Sequence, residues 1–183
     1  MVIIQKTIRG FTLIEVLVGT AILGATLLGP VTLLTTSFMK NEASADKLTA
    51  LYLADEGIEL IRRIRDNNIL AETNWREGLS DGEYEFDYND PTLDIISDFS
   101  PPLYIGIKIK YDSATGIYSY DDGTDTKFIR KITLSSPTDE DAPIGDPQLT
   151  TDRMDMTVLM TWQNHAGGPE KSVQLQGRLY NWQ

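Results

Sequence analysis

Between Phe11 and Met39 the chain is almost continuously apolar or small, and Glu15 is the only charged residue in the run. As an α-helix this segment would be about 43 Å long at the usual rise per residue, ample for a hydrocarbon core of about 30 Å. From Asn41 to about Leu70 the pattern becomes mixed but stays helical. Leu48, Leu51, Tyr52, Ile58, Ile61 and Ile64 recur at helical spacings and predict one apolar stripe. Glu42, Asp46, Lys47, Glu56, Glu59, Arg62, Arg63 and Asp66 mostly fill the other face, and Glu59 with Arg63 has the i,i+4 spacing of a surface ion pair. Gly57 lies inside this stretch, where glycine costs about 1 kcal/mol relative to alanine. It fits either close contact with a sheet or simple tolerance. Asn67-Asn68 predicts the helix end.

Beyond residue 70 the period shortens to two. Tyr84, Phe86 and Tyr88 form one alternating set, and Leu103, Ile105, Ile107, Ile109 and Tyr111 form another. Ile117 to Tyr120 follows the turn Ala114-Thr115-Gly116, and Phe128 to Leu134 follows Asp122-Gly123. Met154 to Trp162 and Val173 to Tyr180 form a last pair, parted by Asn164-His165-Ala166-Gly167-Gly168-Pro169. Turn residues at this spacing predict an antiparallel sheet. The expected fold class is α+β. A long N-terminal helix, with a membrane half at 11–39 and an amphipathic half at 40–70, packs on a mainly antiparallel sheet at 71–183. A separate second helix after a bend near Pro30 is the alternative.

Charge narrows the function. Lys plus Arg total 16 and Asp plus Glu total 27, a net −11. Nucleic-acid binding needs clustered cations on phosphate, and Arg62, Arg63 and Arg65 form the only Arg cluster, read as helix-surface salt bridges. No nucleic-acid binding is expected. Lys6 and Arg9 precede the apolar run, which keeps that end cytoplasmic and places the polar domain outside. With no cysteine in the chain, disulfides, thiolate metal sites and cysteine nucleophiles are all excluded.

The apolar run does not read as an ordinary secretory signal, whose cut follows the apolar region at small residues. Only Thr35-Thr36-Ser37 offers such a place. Glu15 is also unexpected, because a carboxylate within a membrane helix costs roughly 2.5–3.5 kcal/mol at mid-helix and less near the interface. Glu15 is therefore either a solvated interfacial residue or a functional one.

The string Arg9-Gly10-Phe11-Thr12-Leu13-Ile14-Glu15-Val16-Leu17-Val18 closely resembles the cleavage and methylation motif of type IV prepilins. The resemblance implies a leader at residues 1–10, cut by prepilin peptidase between Gly10 and Phe11. It implies N-methylation of the new terminal Phe11, and a filament-assembly role for Glu15, whose carboxylate would pair with the amine of a neighbouring subunit. Two charges that are costly alone in an apolar filament core offset each other when paired. The family often carries a glycine and a proline flanking a stretch that can unwind. Gly24 matches the glycine, and Pro30 falls two residues earlier than the pattern. Gly29-Pro30 is a loosening step in its own right, since Pro30 lacks an N–H. Gly19, Gly24 and Gly29 also permit close helix approach. Leu53 to Asn68 resembles a stretch of minor pilin-like proteins, and the last two strands, ending near Trp162 and Trp182, resemble the terminal hairpin of minor pilins and pseudopilins. The implied fold is pilin-like.

Enzyme signatures are missing from the sequence. His165, the single histidine, falls in a predicted turn, and no nucleophile elbow, phosphate loop or zinc-spaced set occurs. No catalytic residue and no cofactor are expected. Asp121, Asp122 and Asp125 form a calcium candidate, and Asp139 to Asp152 another. Neither fits a twelve-residue calcium loop, and solvated acidic loops are the expected reading. The resemblance thus points to a minor pilin or pseudopilin. It would be stored as a single-pass protein of the cytoplasmic membrane, then assembled into a surface or periplasmic filament. Its implied partners are other pilin subunits, prepilin peptidase, the inner-membrane assembly platform and, before assembly, the lipid bilayer. An uncleaved, membrane-anchored extracytoplasmic binding protein is the alternative.

Overall fold

The computed structural model describes residues 10–85, 94–95, 106–137, 152–164 and 167–181. Phe86, Tyr88, Leu103, Ile105, His165, Trp182 and the acidic stretch at 139–151 lie outside them. The chain divides into two compact units, residues 1–46 and 47–183.

A single α-helix, α1, runs from Leu13 to Leu70 with Pro30 inside it. The expected membrane and amphipathic halves are therefore one element, and no break separates them at Gly29-Pro30. Proline supplies no N–H to the carbonyl four residues earlier, yet the helix continues on both sides. Threonine hydroxyls bond back to the helix here: Thr26 Oγ1 donates to the Leu23 carbonyl at 3.0 Å, and Thr32 Oγ1 to the Gly29 carbonyl at 2.8 Å. The helix outlasts the predicted stop at Asn67-Asn68 by two residues, but those residues do terminate it. The Ala71 amide donates to the Asn67 carbonyl and the Thr73 amide to the Asn68 carbonyl, while Glu72 takes the left-handed conformation, with φ 56°, that commonly closes helices. Asn68 Nδ2 then donates to the carbonyls of Trp75 and Glu77, which fixes the following loop.

Among the described residues seven strands follow: β1 (Gly82–Glu85), β2 (Asp94–Ile95), β3 (Lys108–Asp112), β4 (Ile117–Ser119), β5 (Thr124–Ser135), β6 (Arg153–Trp162) and β7 (Lys171–Tyr180). Every pairing is antiparallel, as the turn spacing predicted. The long β5 organises the sheet. Along one side it pairs with β6 from Phe128↔Trp162 to Ser135↔Asp155, and β6 pairs in turn with β7. Along its other side it meets β1 near Ile132–Leu134 and β3 near Thr124–Ile129, with β2 and β4 beyond them.

The core lies between this sheet and residues 47–70 of α1. Inward positions alternate strictly on β5 (Phe128, Arg130, Ile132, Leu134) and on β6 (Met154, Met156, Val158, Met160, Trp162). Trp75, Leu79 and Tyr84 join them. At roughly 25 cal/mol per Å² of apolar surface removed from water, a contiguous cluster of this kind is the main stabilising contribution in a domain without disulfides.

The apolar stripe of the second helical half needs correction. Ile58 and Ile61 are buried and Ile64 is half-buried, but Leu48 and Tyr52 are 51% and 67% exposed. The buried face runs through Ala50, Leu53, Ala54, Gly57, Ile58, Leu60 and Ile61. Small residues carry little hydrophobic signal, so pattern reading favoured the larger side chains on the wrong face. The expected Glu59–Arg63 pair is replaced by an ion pair between Glu59 and Arg62, one turn apart. Of the described members of the predicted set at β3, Ile109 is buried while Tyr111, and Ile107 just before the strand, are exposed. The β3–β5 register shifts between Lys108 and Lys110, and this irregularity, bridged by Thr126 Oγ1 donating to the Ile109 carbonyl, breaks the alternation.

Candidate functional site: the N-terminal segment and the helix–sheet junction

Gly10, Phe11 and Thr12 precede the first helical residue. A cut after Gly10 therefore falls in non-helical backbone, and a Cβ at Gly10 would meet nothing within 4 Å. Phe11 is 82% exposed. Thr12 and Glu15 form a reciprocal cap at the helix start. The Glu15 amide donates to Thr12 Oγ1 at 3.3 Å, and the Thr12 amide to Glu15 Oε2 at 3.5 Å. This is the capping-box arrangement, which satisfies helix N–H groups that otherwise lack partners. Glu15 also sits where the helix dipole favours a negative charge. The spacing Thr12-x-x-Glu15 is a sequence signature of this cap, and sequence reading had overlooked it.

From Val16 to Glu42 every residue of the helix is exposed. The most apolar window of α1 is long and apolar enough to cross a membrane, and none of it is buried. A Cβ at Gly19, Gly24 or Gly29 would meet nothing within 4 Å, so their faces are open to close approach from outside the chain.

In the second unit the notable group is one that sequence reading missed. Arg130 points inward from β5 and is only 1% exposed. Its Nη1 donates to the Leu53 carbonyl at 3.0 Å and to Glu56 Oε2 at 3.2 Å, both on α1. Its guanidinium also lies 5.8 Å from the Tyr120 ring centroid, within cation–π range. A buried charge without such partners would cost several kcal/mol. Gly57 makes the approach possible: a Cβ there would lie 3.2 Å from Val158 Cγ1 and 3.3 Å from Arg130 Cδ. That decides between the two readings of Gly57 in favour of close contact with the sheet. The available signal was an arginine in phase with Phe128, Ile132 and Leu134 in an alternating strand.

Of the two calcium candidates, Asp121, Asp122 and Asp125 lie among the described residues, and all but Asp152 of the second lies outside them. Among the described residues no group of three or more His, Cys, Asp or Glu side chains could hold a metal. Near Asp121, Asp122 and Asp125 the Lys110 ammonium donates to the Asp121 carbonyl at 2.8 Å, and the Asp122 amide donates to Ser119 Oγ at 3.4 Å. The β3–β4 turn is closed instead by Asp112, whose carboxylate accepts from Thr115 Oγ1 at 2.7 Å and from the Ala114 amide at 2.9 Å. These bonds hold the Asp112 pKa below its ordinary 3.8. Next to it, burial, with a smaller contribution from Tyr111, raises the Tyr118 pKa above 10.0. On the outer sheet face Asp155 joins Arg153, at 2.6 Å, to Arg178, at 3.3 Å.

A long N-terminal helix whose later part is seated on an antiparallel sheet is an α+β, pilin-like architecture, and its exposed apolar stretch is long enough to cross a membrane. A family model, the prokaryotic N-terminal methylation motif, matches residues 5–29. The matched residues include Gly10, Phe11 and Glu15, so the chain carries the type IV prepilin cleavage and methylation motif. No curated protein and no solved structure matches the chain.

Proposed function

We propose that the chain is a structural subunit, a minor pilin or pseudopilin, of a type IV pilus-like or type II secretion-like filament. The observation that carries this reading is the methylation motif at residues 5–29 on the leading end of α1. Prepilin peptidase cuts between Gly10 and Phe11, and Phe11 is N-methylated. Other subunits replace lipid around residues 13–39 as the inner-membrane platform assembles them. Glu15 pairs with the terminal amine of a neighbour. Misplaced subunits leave two charges unpaired in an apolar surrounding, so the pair selects axial register. Gly24, Gly29 and Pro30 mark where α1 loosens during assembly. The role is structural, with no catalytic residue and no cofactor.

The test is the N-terminal residue of the protein from its native membrane, by intact mass and sequencing. A methylated Phe11 is expected. An intact Met1 would overturn the reading in favour of an uncleaved, anchored binding protein. For Glu15, a Glu15→Ala subunit that is cut normally yet enters filaments at wild-type level would remove its assembly role.

A further inference from the structure

We infer that Arg130, Glu56, Leu53 and Gly57 form an axial lock that fixes the register of α1 on the sheet and passes a pull along the helix into β5. The lock has a positive part and a negative part. Arg130 lies fully inside the core and reaches a helix carbonyl and a helix carboxylate 77 and 74 residues away in sequence. Gly57 provides the only glycine gap between residues 40 and 70, and Val158 and Arg130 Cδ occupy it at 3.2 and 3.3 Å from its virtual Cβ.

Axial sliding fails on both counts. One helical turn is about 5.4 Å. A slip of four residues brings Leu60 or Tyr52 to the place of Glu56, so the guanidinium loses its carboxylate inside the core. The same slip brings Ile61 or Leu53 to the place of Gly57, where a side chain of that size does not fit beside Val158. The other buried apolar helix residues, Ala50, Ala54, Ile58, Leu60, Ile61 and Ile69, give an apolar surface that shifts in register more readily, because apolar contact is non-directional. Arg130 and Gly57 therefore supply the specificity. The central position of β5, bonded to β6 on one side and to β1 and β3 on the other, spreads the load over the sheet. The use of the lock, to hold the sheet domain on a helix pulled from membrane into filament, rests on the proposed function. Its existence does not.

The experiment is hydrogen exchange by mass spectrometry on the full chain in detergent, comparing wild type with Arg130→Met. A lock predicts selective local opening. Amides at 50–58 should exchange at least about tenfold faster, while those of β6 and β7 change by less than about twofold. Uniform acceleration, which reports only lost global stability, overturns the lock, and so does no change. Should Arg130→Met not fold, Glu56→Gln takes its place, because it retains the Leu53 bond and removes only the charge of the partner. The same selective pattern is then expected at about threefold, and its absence overturns the proposal. This outcome is independent of whether Phe11 is the mature N-terminus, so either reading can fail alone.

Discussion

Replacing Gly57 with a larger residue sets two opposed effects against each other, and the structure gives both magnitudes. In an exposed helix Gly→Ala would gain about 1 kcal/mol from propensity. At Gly57 the new methyl would lie 3.2 Å from Val158 Cγ1 and 3.3 Å from Arg130 Cδ, so a neighbour must give by a few tenths of an ångström. Val158 is fully buried in β6 and, being β-branched, stiff about χ1. The crowding offsets most of the gain, and Gly57→Ala should stabilise by well under the roughly 1 kcal/mol of an open site. Gly57→Leu has no such balance. Overpacking costs about 1–3 kcal/mol, and displacing Arg130 from the Leu53 carbonyl removes a charged hydrogen bond of about 1.5–3 kcal/mol. A total near 3–5 kcal/mol corresponds to roughly 6–20 °C in Tm for a chain of this length. Tryptophan fluorescence of the full chain in detergent reads it directly, since Trp75 and Trp162 are both in the core. A Gly57→Leu protein melting within about 2 °C of wild type would refute the close seating of α1 on β5 and β6. A full 1 kcal/mol gain for Gly57→Ala would do the same, because it would mean that the position is open.

Other perturbations test other joints. Gly123 has φ 120°, and a Cβ there would fall 2.7 Å from the Tyr111 backbone, whereas Gly116 has φ 75° and open space. Gly123→Ala should therefore destabilise by more than about 2 kcal/mol and Gly116→Ala by about 1 kcal/mol, and equal melting temperatures would show the β3–β4–β5 turns to be wrongly placed. Asp112 should titrate below 3.8 by NMR. Its stabilising contribution is fully present above its unfolded pKa and is lost as pH falls through the depressed folded value. Thr115→Val should bring the titration back toward 3.8, and a wild-type Asp112 at or above 3.8 contradicts the turn. Tyr118 should ionise above 10.0 by ultraviolet titration. Its neutral form is the one the fold favours, so that contribution is present below about pH 10 and lost as pH rises through the folded value. Thr12→Ala removes the acceptor for the Glu15 amide and should loosen the first turn of α1 by about 0.5–2 kcal/mol, read as faster amide exchange at 13–16 with no change beyond residue 20.

Much of this was legible because it depends on period. The apolar run, the α+β order, the antiparallel strands and the terminal hairpin are statements about spacing, and spacing survives without coordinates. What escaped depends on contact. Ala50, Ala54 and Gly57 carry the seat of the helix because they are small, and a hydrophobicity pattern gives least weight to such residues. Leu48 and Tyr52 are large and misled it. Arg130 was invisible for the opposite reason: an arginine in a strand is ordinarily solvent-facing, and only its phase with Phe128, Ile132 and Leu134 marks it as inward. At the N-terminus the lone acid drew notice but its local partner Thr12 did not, although Thr12-x-x-Glu15 was in plain sight.

The polar groups of the apolar segment divide in a way that bears on assembly. The hydroxyls of Thr20, Thr26, Thr32, Thr35 and Thr36 each donate to a carbonyl three or four residues earlier at 2.8–3.0 Å. They are satisfied within the helix whether lipid or another subunit surrounds it, and they prefer neither. Apolar side chains exchanged between lipid and a neighbouring helix likewise give little preference for one axial position over another. Glu15 differs from both groups. Its bond to the Thr12 amide is 3.5 Å long, at the outer limit of a hydrogen bond, so its own helix satisfies it only in part. An amine on a neighbouring Phe11 would offer a charge-assisted partner, and such bonds are about twice as strong as neutral ones. On the proposed function, the positional information in residues 11–39 is then concentrated in one carboxylate. Threonine substitutions along the segment should leave filament incorporation nearly unchanged, while Glu15→Gln, which keeps shape and capping geometry, should abolish most of it. Equal incorporation of Glu15→Gln and Thr26→Val subunits, measured by quantitative immunoblotting of sheared filaments, would show that register is set by packing instead.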